Sequence, residues 1–393
     1  MANNKKMKKT TKSNLLMFGF VIVFWAVIQL ISLTGHMTSK LNGLLIPVCA
    51  YIIMAISLNL VVGFLGELSL GHAAFMSAGA FAGIFFYTTV GAQLPKAAAV
   101  IISFILGGIA AGIFGILVGV PVLRLSGDYL AIVTLASGEI LKNVLSALYI
   151  GKDSAGLHFS LKDQFSLGLE PDGKMLIKGA MGIPGIQKFS NFTVGIVLIL
   201  ITLAFIVNLK NSRAGRAITA IRDDEIAARA TGLNLTHYKL LAFVSAAVFA
   251  GIAGVLYALN YSTLVADKFD YNLSINVLVM VVLGGMGNIF GGMIAAIILT
   301  ILPEMLRGFS QYRMFIYSIV LIVMMLFNQA PALVAWRQRL AAKIKRSDRE
   351  PEAQVETADA SYFEEMKNKG SEEASEEPAD DEPVNEESAK EEK

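Results

Sequence analysis

The sequence has little charge and a single cysteine. Charged residues make up 16% of its 393 residues, whereas an average soluble globular protein has about 25%. Cys49 lies inside an apolar run, so a disulfide framework is excluded and the redox compartment stays open. The low charge already argues against an ordinary soluble domain.

Several signatures of chemistry are also missing. There is no G-x-x-x-x-G-K-[ST] loop, so the chain is not an obvious nucleotide hydrolase. Its four histidines lack metal-binding spacing, and no nucleophile elbow or row of voltage-sensing arginines is present. Lysines and arginines cluster beside apolar runs rather than in a nucleic-acid patch. We therefore predict no catalytic residue, no metal site, no cofactor site in this chain and no nucleic-acid partner.

Long hydrophobic runs are abundant. Hydrophobic residues make up 55% of the chain, and they come in blocks of about 20, the length of helix that spans a bilayer. These blocks predict an all-α polytopic integral membrane protein with about ten transmembrane helices. The predicted spans are 15–33, 41–62, 69–90, 97–120, 128–149, 191–209, 240–260, 273–284, 289–306 and 312–330.

Charge divides the chain into two parts. Residues 347–393 contain 18 acidic and five basic residues, whereas the remainder has 13 acidic and 28 basic residues. The acidic segment cannot bury enough apolar surface to offset its ordering entropy, which predicts a disordered C-terminal tail. The tail as a whole, residues 337–393, is basic at its start and then acidic.

The basic clusters predict an orientation. They lie in residues 1–14, in the segment 210–239 and just after the last span. With the N-terminus in the cytoplasm, ten spans place all three clusters inside, as the positive-inside rule requires. The predicted order is a cytoplasmic N-terminus (1–14), a transmembrane domain (15–336) with an external loop (150–190) and a cytoplasmic loop (210–239), and a cytoplasmic tail.

Two stretches place glycine and polar residues where hydrocarbon is expected. They are 58–75 and 281–292, one in each half of the chain. Broken helices expose backbone groups to a cavity, and ionisable groups within a membrane usually face the bundle interior. The candidates for a translocation path are Asn59, Glu67, His72, Glu139, Gly284, Gly285 and Asn288.

Each polar candidate has a second explanation. Glu67 and His72 could lie in a short cytoplasmic turn. Glu139 could pair with Lys142, one helical turn away, or with a neighbouring helix. Asn59 could be an interhelical hydrogen-bonding residue rather than a ligand.

A helix-prone charged segment lies at 222–232, between two apolar runs. Asp223 or Asp224 can cap its N-terminus, Glu225 and Arg229 have the spacing of an ion pair, and Gly232 can end the helix. Its small apolar face comprises Ile226, Ala227 and Ala230. The segment is either a solvated loop helix or a helix that docks into a groove on another protein.

Five stretches together form a recognisable set: GFLGELSLGHAAF (63–75, preceded by Asn59-Leu60), LRLSGDYLAIVTL (123–135), Gly182-Ile183-Pro184, VVLGGMG (281–287) and Leu302-Pro303-Glu304. The set resembles the membrane permeases of ABC importers for branched-chain amino acids. The first stretch is shared with the shorter H-type paralogue, whereas 123–135 resembles the longer M-type subunit. Two features depart from the pattern: Glu67, where Gln is expected, and the acidic tail.

The resemblance implies a place in a larger machine. It implies a prokaryotic plasma-membrane protein that is not itself an enzyme and is surrounded by membrane lipid. Its protein partners would include an H-type paralogue and an extracytoplasmic binding protein. Two cytoplasmic ATPase subunits would bind ATP and Mg²⁺. On this resemblance the residues that dock into the ATPase are Glu225, Ala227, Ala228 and Gly232.

The cargo implied by the resemblance is leucine, isoleucine or valine. One alternative keeps the machinery and changes the cargo to urea, an amide, a sugar or a nucleoside. The other is an autonomous secondary transporter or channel, which would leave the 222–232 motif unexplained.

Overall fold

The computed structural model describes residues 2–34, 39–125, 127–154, 156–169, 173–189 and 191–309, with a few positions between 312 and 323. The predicted tail 337–393 and most of the predicted span 312–330 lie outside these residues. The described chain is mostly helical. Its α-helices are α1 Ala2–Leu33, α2 Ser39–Asn59, α3 His72–Thr89, α4 Lys96–Val122, α5 Asp128–Ser146, α6 Phe192–Asn211, α7 Arg213–Asp223, α8 Glu225–Ala230, α9 Leu235–Ala258, α10 Tyr271–Gly284 and α11 Ile289–Met305.

Five described helices are long and apolar enough to cross a membrane. They are the apolar part of α1 from Leu15, α2 with its continuation to Leu65, and α4, α6 and α9. Helices α3, α5, α10 and α11 occupy the positions of other predicted spans, but α10 has only 14 residues and would be about 21 Å long. The prediction of ten spans therefore remains a prediction.

Helix α9 lies at the centre of the bundle, because small residues let its neighbours approach closely. It packs against α2, α3 and α4. At the contact with α3, a Cβ at Gly79 would lie 2.3 Å from the Cα of Gly251. Lipid gives helices no hydrophobic drive to associate, so such close backbone packing stabilises the bundle.

Helix α2 does not end as an ordinary α-helix. Its last turns, Leu60–Leu65, form a π-helix, and Gly66 follows with a left-handed backbone (φ 82°). A π-helical turn is rare and often marks a functional position. The chain then returns through residues 67–71 to the start of α3, so the first predicted break is real.

The segment between α5 and α6 contains strands, which the sequence did not predict. They are β1 Tyr149–Lys152, β2 Leu157–Ser160, β3 Lys174–Lys178 and β4 Ile183–Pro184, and β4 pairs with β5 Thr263–Leu264. The three longer strands form an antiparallel sheet in the order β2-β1-β3. The predicted loop 150–190 is thus partly β structure within an otherwise helical protein.

The bundle has two distinct ends. Helix α6 runs from the strands to α7, and its 20 residues span about 30 Å. We call the end that carries the strands the sheet end and the other end the α8 end. At the α8 end, α7 buries Ala217, Ile218 and Ile221, so the predicted loop 210–239 is built of two packed helices.

Candidate functional site

The two glycine breaks meet at the α8 end. The side-chain oxygen Oδ1 of Asn59 accepts a hydrogen bond from the backbone N–H of Gly287 at 2.8 Å. A Cβ at Gly63 would lie 2.2 Å from that same nitrogen, so only glycine fits where the two breaks cross. We call the contact of residues 59–66 with residues 284–288 the junction.

At the junction, one buried side-chain atom has no hydrogen-bond partner among the described residues. Asn59 is fully buried, and its amide nitrogen Nδ2 has no hydrogen-bond partner among the described residues. A buried unsatisfied donor costs about 1–3 kcal/mol, so such a group calls for an explanation. An amide N–H beside a broken helix can donate to water or to a polar group of a substrate.

The second break has a defined geometry around its glycines. Gly285 and Gly287 have left-handed φ values of 90° and 79°. Asn288 caps α11 by accepting a hydrogen bond from the backbone N–H of Gly291. Gly284 packs against the backbone of residues 291–292. Of the predicted path residues, the structure thus brings Asn59, Gly284, Gly285 and Asn288 to one place.

His72 is part of the packed interior beside the junction. It is 1% exposed, and its Nε2 lies 2.8 Å from Oγ of Ser57. The Ser57 hydroxyl also donates to the Met54 carbonyl, and the His72 ring meets Phe75 edge to face. These contacts tie His72, the first residue of α3, to α2 and place its side chain inside the fold.

Two further helices, α5 and α10, hold the start of α3. Its backbone N–H at Ala73 donates to Oγ of Ser274 on α10 at 2.9 Å. The preceding Leu70 donates its N–H to Oγ1 of Thr134 on α5. Because the first N–H groups of a helix lack internal partners, these side chains fix the position of α3 relative to α5 and α10.

Glu67 forms part of an ion cluster. Lys239 Nζ lies 2.6 Å from Oε1 of Glu67 and 3.1 Å from Oε2 of Glu225. The Lys239 side chain is only 4% exposed, Glu67 is nearly as buried, and Glu225 is partly open to solvent. We call Glu67, Lys239 and Glu225 the ion triad, and it connects the first break to α8.

Helix α8 has the capping that the sequence predicts. Asp224 accepts hydrogen bonds from the N–H groups of Ile226 and Ala227 at 2.9 Å each. Glu225 lies 3.6 Å from Arg229, and Gly232 ends the turn with φ 84°. The cap at Asp224, the ion pair and the glycine stop are therefore confirmed.

The four residues predicted to dock into an ATPase do not share one exposed face. Ala227 and Gly232 are exposed, but Ala228 is 4% exposed and packs inside the chain. The Glu225 carboxylate already contacts Lys239 and Arg229. The outward face of α8 is instead carried by Ile226, Ala227 and Ala230, with Ile226 83% exposed.

Glu139 lies apart from the junction. It pairs with Lys142 at 2.5 Å, and its other oxygen accepts a hydrogen bond from the backbone N–H of Tyr271. Tyr271 begins α10, whereas Gly284 and Gly285 lie at its far end. Both partners proposed for Glu139, the lysine and a neighbouring helix, are therefore observed.

Sequence reasoning missed two cations that connect these parts. By sequence, Lys239 and Arg222 are only two of the charges in the basic segment 210–239. In the structure, Arg222 Nη1 donates to the carbonyl of Gly63 at 3.1 Å. A signal for Lys239 does exist, since a lysine one turn into a long apolar helix requires a buried partner.

A separate cavity of about 510 Å³ lies at the sheet end. Tyr87 and Thr88 from the end of α3 line it, together with Gln187 and the two lysines Lys96 and Lys174. Both lysines are exposed at its rim. The cavity thus has two lysines at its rim and lies at the other end of the bundle from the junction.

Comparison with known proteins gives consistent similarities. The model of the family described as branched-chain amino acid transport system / permease component matches residues 40–328. The chain is 35% identical over 310 residues to the high-affinity branched-chain amino acid transport system permease protein LivM of Escherichia coli, covering 75% of this chain and 70% of that protein.

More distant relatives match shorter regions. The permease protein LivH of Escherichia coli is 31% identical over 133 residues, 33% of this chain and 43% of LivH. The fructose import permease protein FruG of Bifidobacterium longum is 23% identical over 156 residues, 37% of this chain and 46% of FruG. No solved structure matches the chain.

Proposed function

The chain belongs to the branched-chain amino acid transport permease family, and on that premise we propose that it is the M-type membrane subunit of an ATP-driven importer of leucine, isoleucine and valine. An H-type paralogue would complete the translocation path. Two cytoplasmic ATPase subunits would hold ATP and Mg²⁺, and an extracytoplasmic binding protein would deliver the amino acid. Its relatives are transport permeases rather than enzymes.

Helix α8 is the observation that carries this proposal. It is a six-residue helix with a capped start, a glycine stop and an apolar outward face. A solitary solvated helix gains nothing from exposing Ile226, whereas a helix that fits a groove needs such an anchor. We propose that Ile226, Ala227 and Ala230 contact the ATPase subunit and that Glu225 orients α8 from within.

The junction supports the path half of the proposal. Broken helices place backbone groups and small polar side chains beside a substrate route. Asn59 offers there an amide N–H that has no partner within the described part of the chain, a donor suited to the carboxylate of an amino acid. The surrounding glycines, Gly63, Gly284 and Gly287, leave room for backbone to approach.

The sheet end suits the binding protein. Its cavity presents Lys96 and Lys174, and the nearby strand segment exposes the apolar side chain of Phe165. In the predicted orientation this end faces outward. Acidic side chains on a partner would complement the two lysines and favour encounter.

The test is reconstitution of the chain with its companion subunits in lipid vesicles. We expect uptake of radiolabelled leucine that requires ATP on the cytoplasmic side, the binding protein and both permease subunits. Omission of the ATPase subunits is the control for the autonomous alternative. Concentrative uptake without them would show a secondary transporter or channel instead.

A second cargo has one observation in its favour. The similarity to a fructose import permease keeps a sugar open, although it covers about a third of the chain. Uptake of fructose, ribose and urea should therefore be scored beside leucine in the same vesicles, each with a matching binding protein. ATP-dependent sugar or urea uptake without leucine uptake would replace the proposed cargo and keep the mechanism.

A further inference from the structure

We propose that Lys239 is a positioning residue for energy coupling. Through Glu225 and Glu67 it ties α8 to residues 67–73, so that displacement of α8 moves the start of α3. The inference rests on the proposed function, because it requires an ATPase that displaces α8. It adds the residues through which that displacement would reach the junction.

The first half of the tie spans the turn between α8 and α9. Residues 231–234 connect the two helices along the chain, and Gly232 in that turn has a left-handed backbone. The ion pair between Glu225 and Lys239 adds a second connection on the bundle side. With both in place, α8 cannot tilt about the glycine turn without moving Lys239 or breaking the ion pair.

The second half of the tie reaches the first break. Lys239 binds Glu67 at 2.6 Å, and Glu67 directly follows the left-handed Gly66. Three residues later Leu70 binds Thr134 of α5, and Ala73 binds Ser274 of α10. A shift at Glu67 therefore acts on the segment that positions α3 against two neighbouring helices.

Arg222 provides a parallel contact from α7. Its Nη1 donates to the Gly63 carbonyl, and its aliphatic Cγ lies 2.5 Å from the position a Cβ would take on Gly66. Gly63 in turn packs on Gly287. Both cations thus connect the two small helices at the α8 end with the π-helical end of α2, and from there with the second break.

Burial makes the triad a stiff link. A cation that is 4% exposed cannot readily exchange its partners for water, so the lysine stays between its two carboxylates. With both contacts formed, a displacement of Glu225 moves Lys239 and, through it, Glu67.

The experiment measures leucine uptake and ATP hydrolysis in the same vesicles, with the full set of subunits. The first variant is Glu225→Gln, which loosens the α8 side and leaves Lys239 paired with Glu67. The second is the double variant Lys239→Met with Glu67→Gln, which removes the tie without leaving an unpaired buried charge. For each we expect retained ATPase association and hydrolysis, with uptake per ATP about tenfold lower, within the range of coupling between distinct sites.

Two further variants separate positioning from stability. Lys239→Arg keeps a cation that can reach both carboxylates and should retain most of the uptake per ATP. Lys268→Met makes the same kind of change at the sheet end, where Lys268 lies over the Tyr261 ring, and should leave the ratio unchanged. A merely structural role would instead lower the thermal stability of the complex and lower uptake and hydrolysis in parallel.

Uptake per ATP equal to that of the natural protein in the Glu225→Gln and double variants would overturn the inference. So would a parallel loss of uptake and hydrolysis at constant ratio. Failure of the natural protein to show ATP-dependent uptake would count against the proposed function itself. The two failures are distinguishable because the natural protein is measured in every series.

Discussion

Ile226 is the residue that most directly tests how α8 is used. Its side chain is 83% exposed although it is apolar, and the helix that carries it is capped at its start by Asp224. We predict that Ile226→Asp lowers the affinity for the ATPase subunit about tenfold or more, since a central apolar anchor contributes about 2 kcal/mol or more to an interface. The measurement is co-purification followed by titration of ATPase onto the immobilised permease.

The control for Ile226 is Ile226→Val, which keeps an apolar side chain and should bind nearly as well. Both variants should reach the membrane at normal levels, because Ile226 contacts little within the chain. Unchanged ATPase affinity in Ile226→Asp would mean that another surface makes the contact.

Asn59 holds the junction through one hydrogen bond. We predict that Asn59→Ala destabilises the protein by about 1 kcal/mol, because the partly buried N–H of Gly287 loses its partner. Removal of Nδ2, which has no partner among the described residues, offsets part of that cost. The measurement is the thermal unfolding midpoint of the purified protein in detergent. Asn272→Ala is the matched control, since Asn272 is exposed and donates a hydrogen bond to the nearby Asp270. Equal midpoints for the two variants would contradict the prediction.

Single residues also show where sequence reasoning stops. The cap at Asp224 and the pair Glu225–Arg229 are local and could be predicted, because both partners lie within one helical turn. The bond between Lys239 and Glu67 joins residues 172 positions apart. No local sequence pattern links residues so far apart. The sequence therefore shows that Lys239 is charged but not that it binds Glu67.

Among the elements, α2 shows how a glycine can decide an architecture. We predict that Gly63→Ala lowers the amount of folded protein severalfold. The added Cβ would lie 2.0 Å from the Asn59 oxygen and 2.2 Å from the Gly287 nitrogen, and a closely packed backbone cannot move aside without loss of other contacts. Gly43→Ala on the same helix is the control, since nothing lies within 4 Å of its added Cβ. The check is the monodisperse yield from detergent extracts, and equal yields would contradict the crossing at the junction.

Some elements can be predicted from their own sequence, whereas others form only because they pair with a distant segment. Apolar length alone predicted the positions of α2, α4, α6 and α9, and glycine content predicted both breaks. The strands β1 and β3 are short, lie in a polar segment and pair across more than twenty residues. Short strands gain their stability from partners rather than from their own sequence, so the sheet could not be predicted.

At the scale of the whole molecule, composition predicts the class of membrane protein better than it predicts the number of membrane spans. Low charge and long apolar runs indicated a membrane protein, and the family comparison supports that class. The number of spans is harder, because α5 carries Glu139 and Lys142 and α10 is short. Glu139 and Lys142 form an ion pair with each other, and Glu139 also accepts a hydrogen bond from the start of α10. A hydropathy scale counts both residues as charged and takes no account of such pairing.

Orientation is the property of the whole molecule that one labelling experiment decides. The only cysteine, Cys49, is buried, so the natural chain should give little background with an impermeant thiol reagent. The described chain offers two exposed test positions at opposite ends of the bundle: Phe165, 92% exposed beside the sheet, and Ile226 on α8. Because basic clusters flank α8, the positive-inside rule predicts that this end lies in the cytoplasm. We predict that Phe165→Cys is labelled in cells with an intact plasma membrane, whereas Ile226→Cys is labelled only after permeabilisation. The reverse pattern would mean the opposite membrane orientation, in which α8 could not contact a cytoplasmic ATPase.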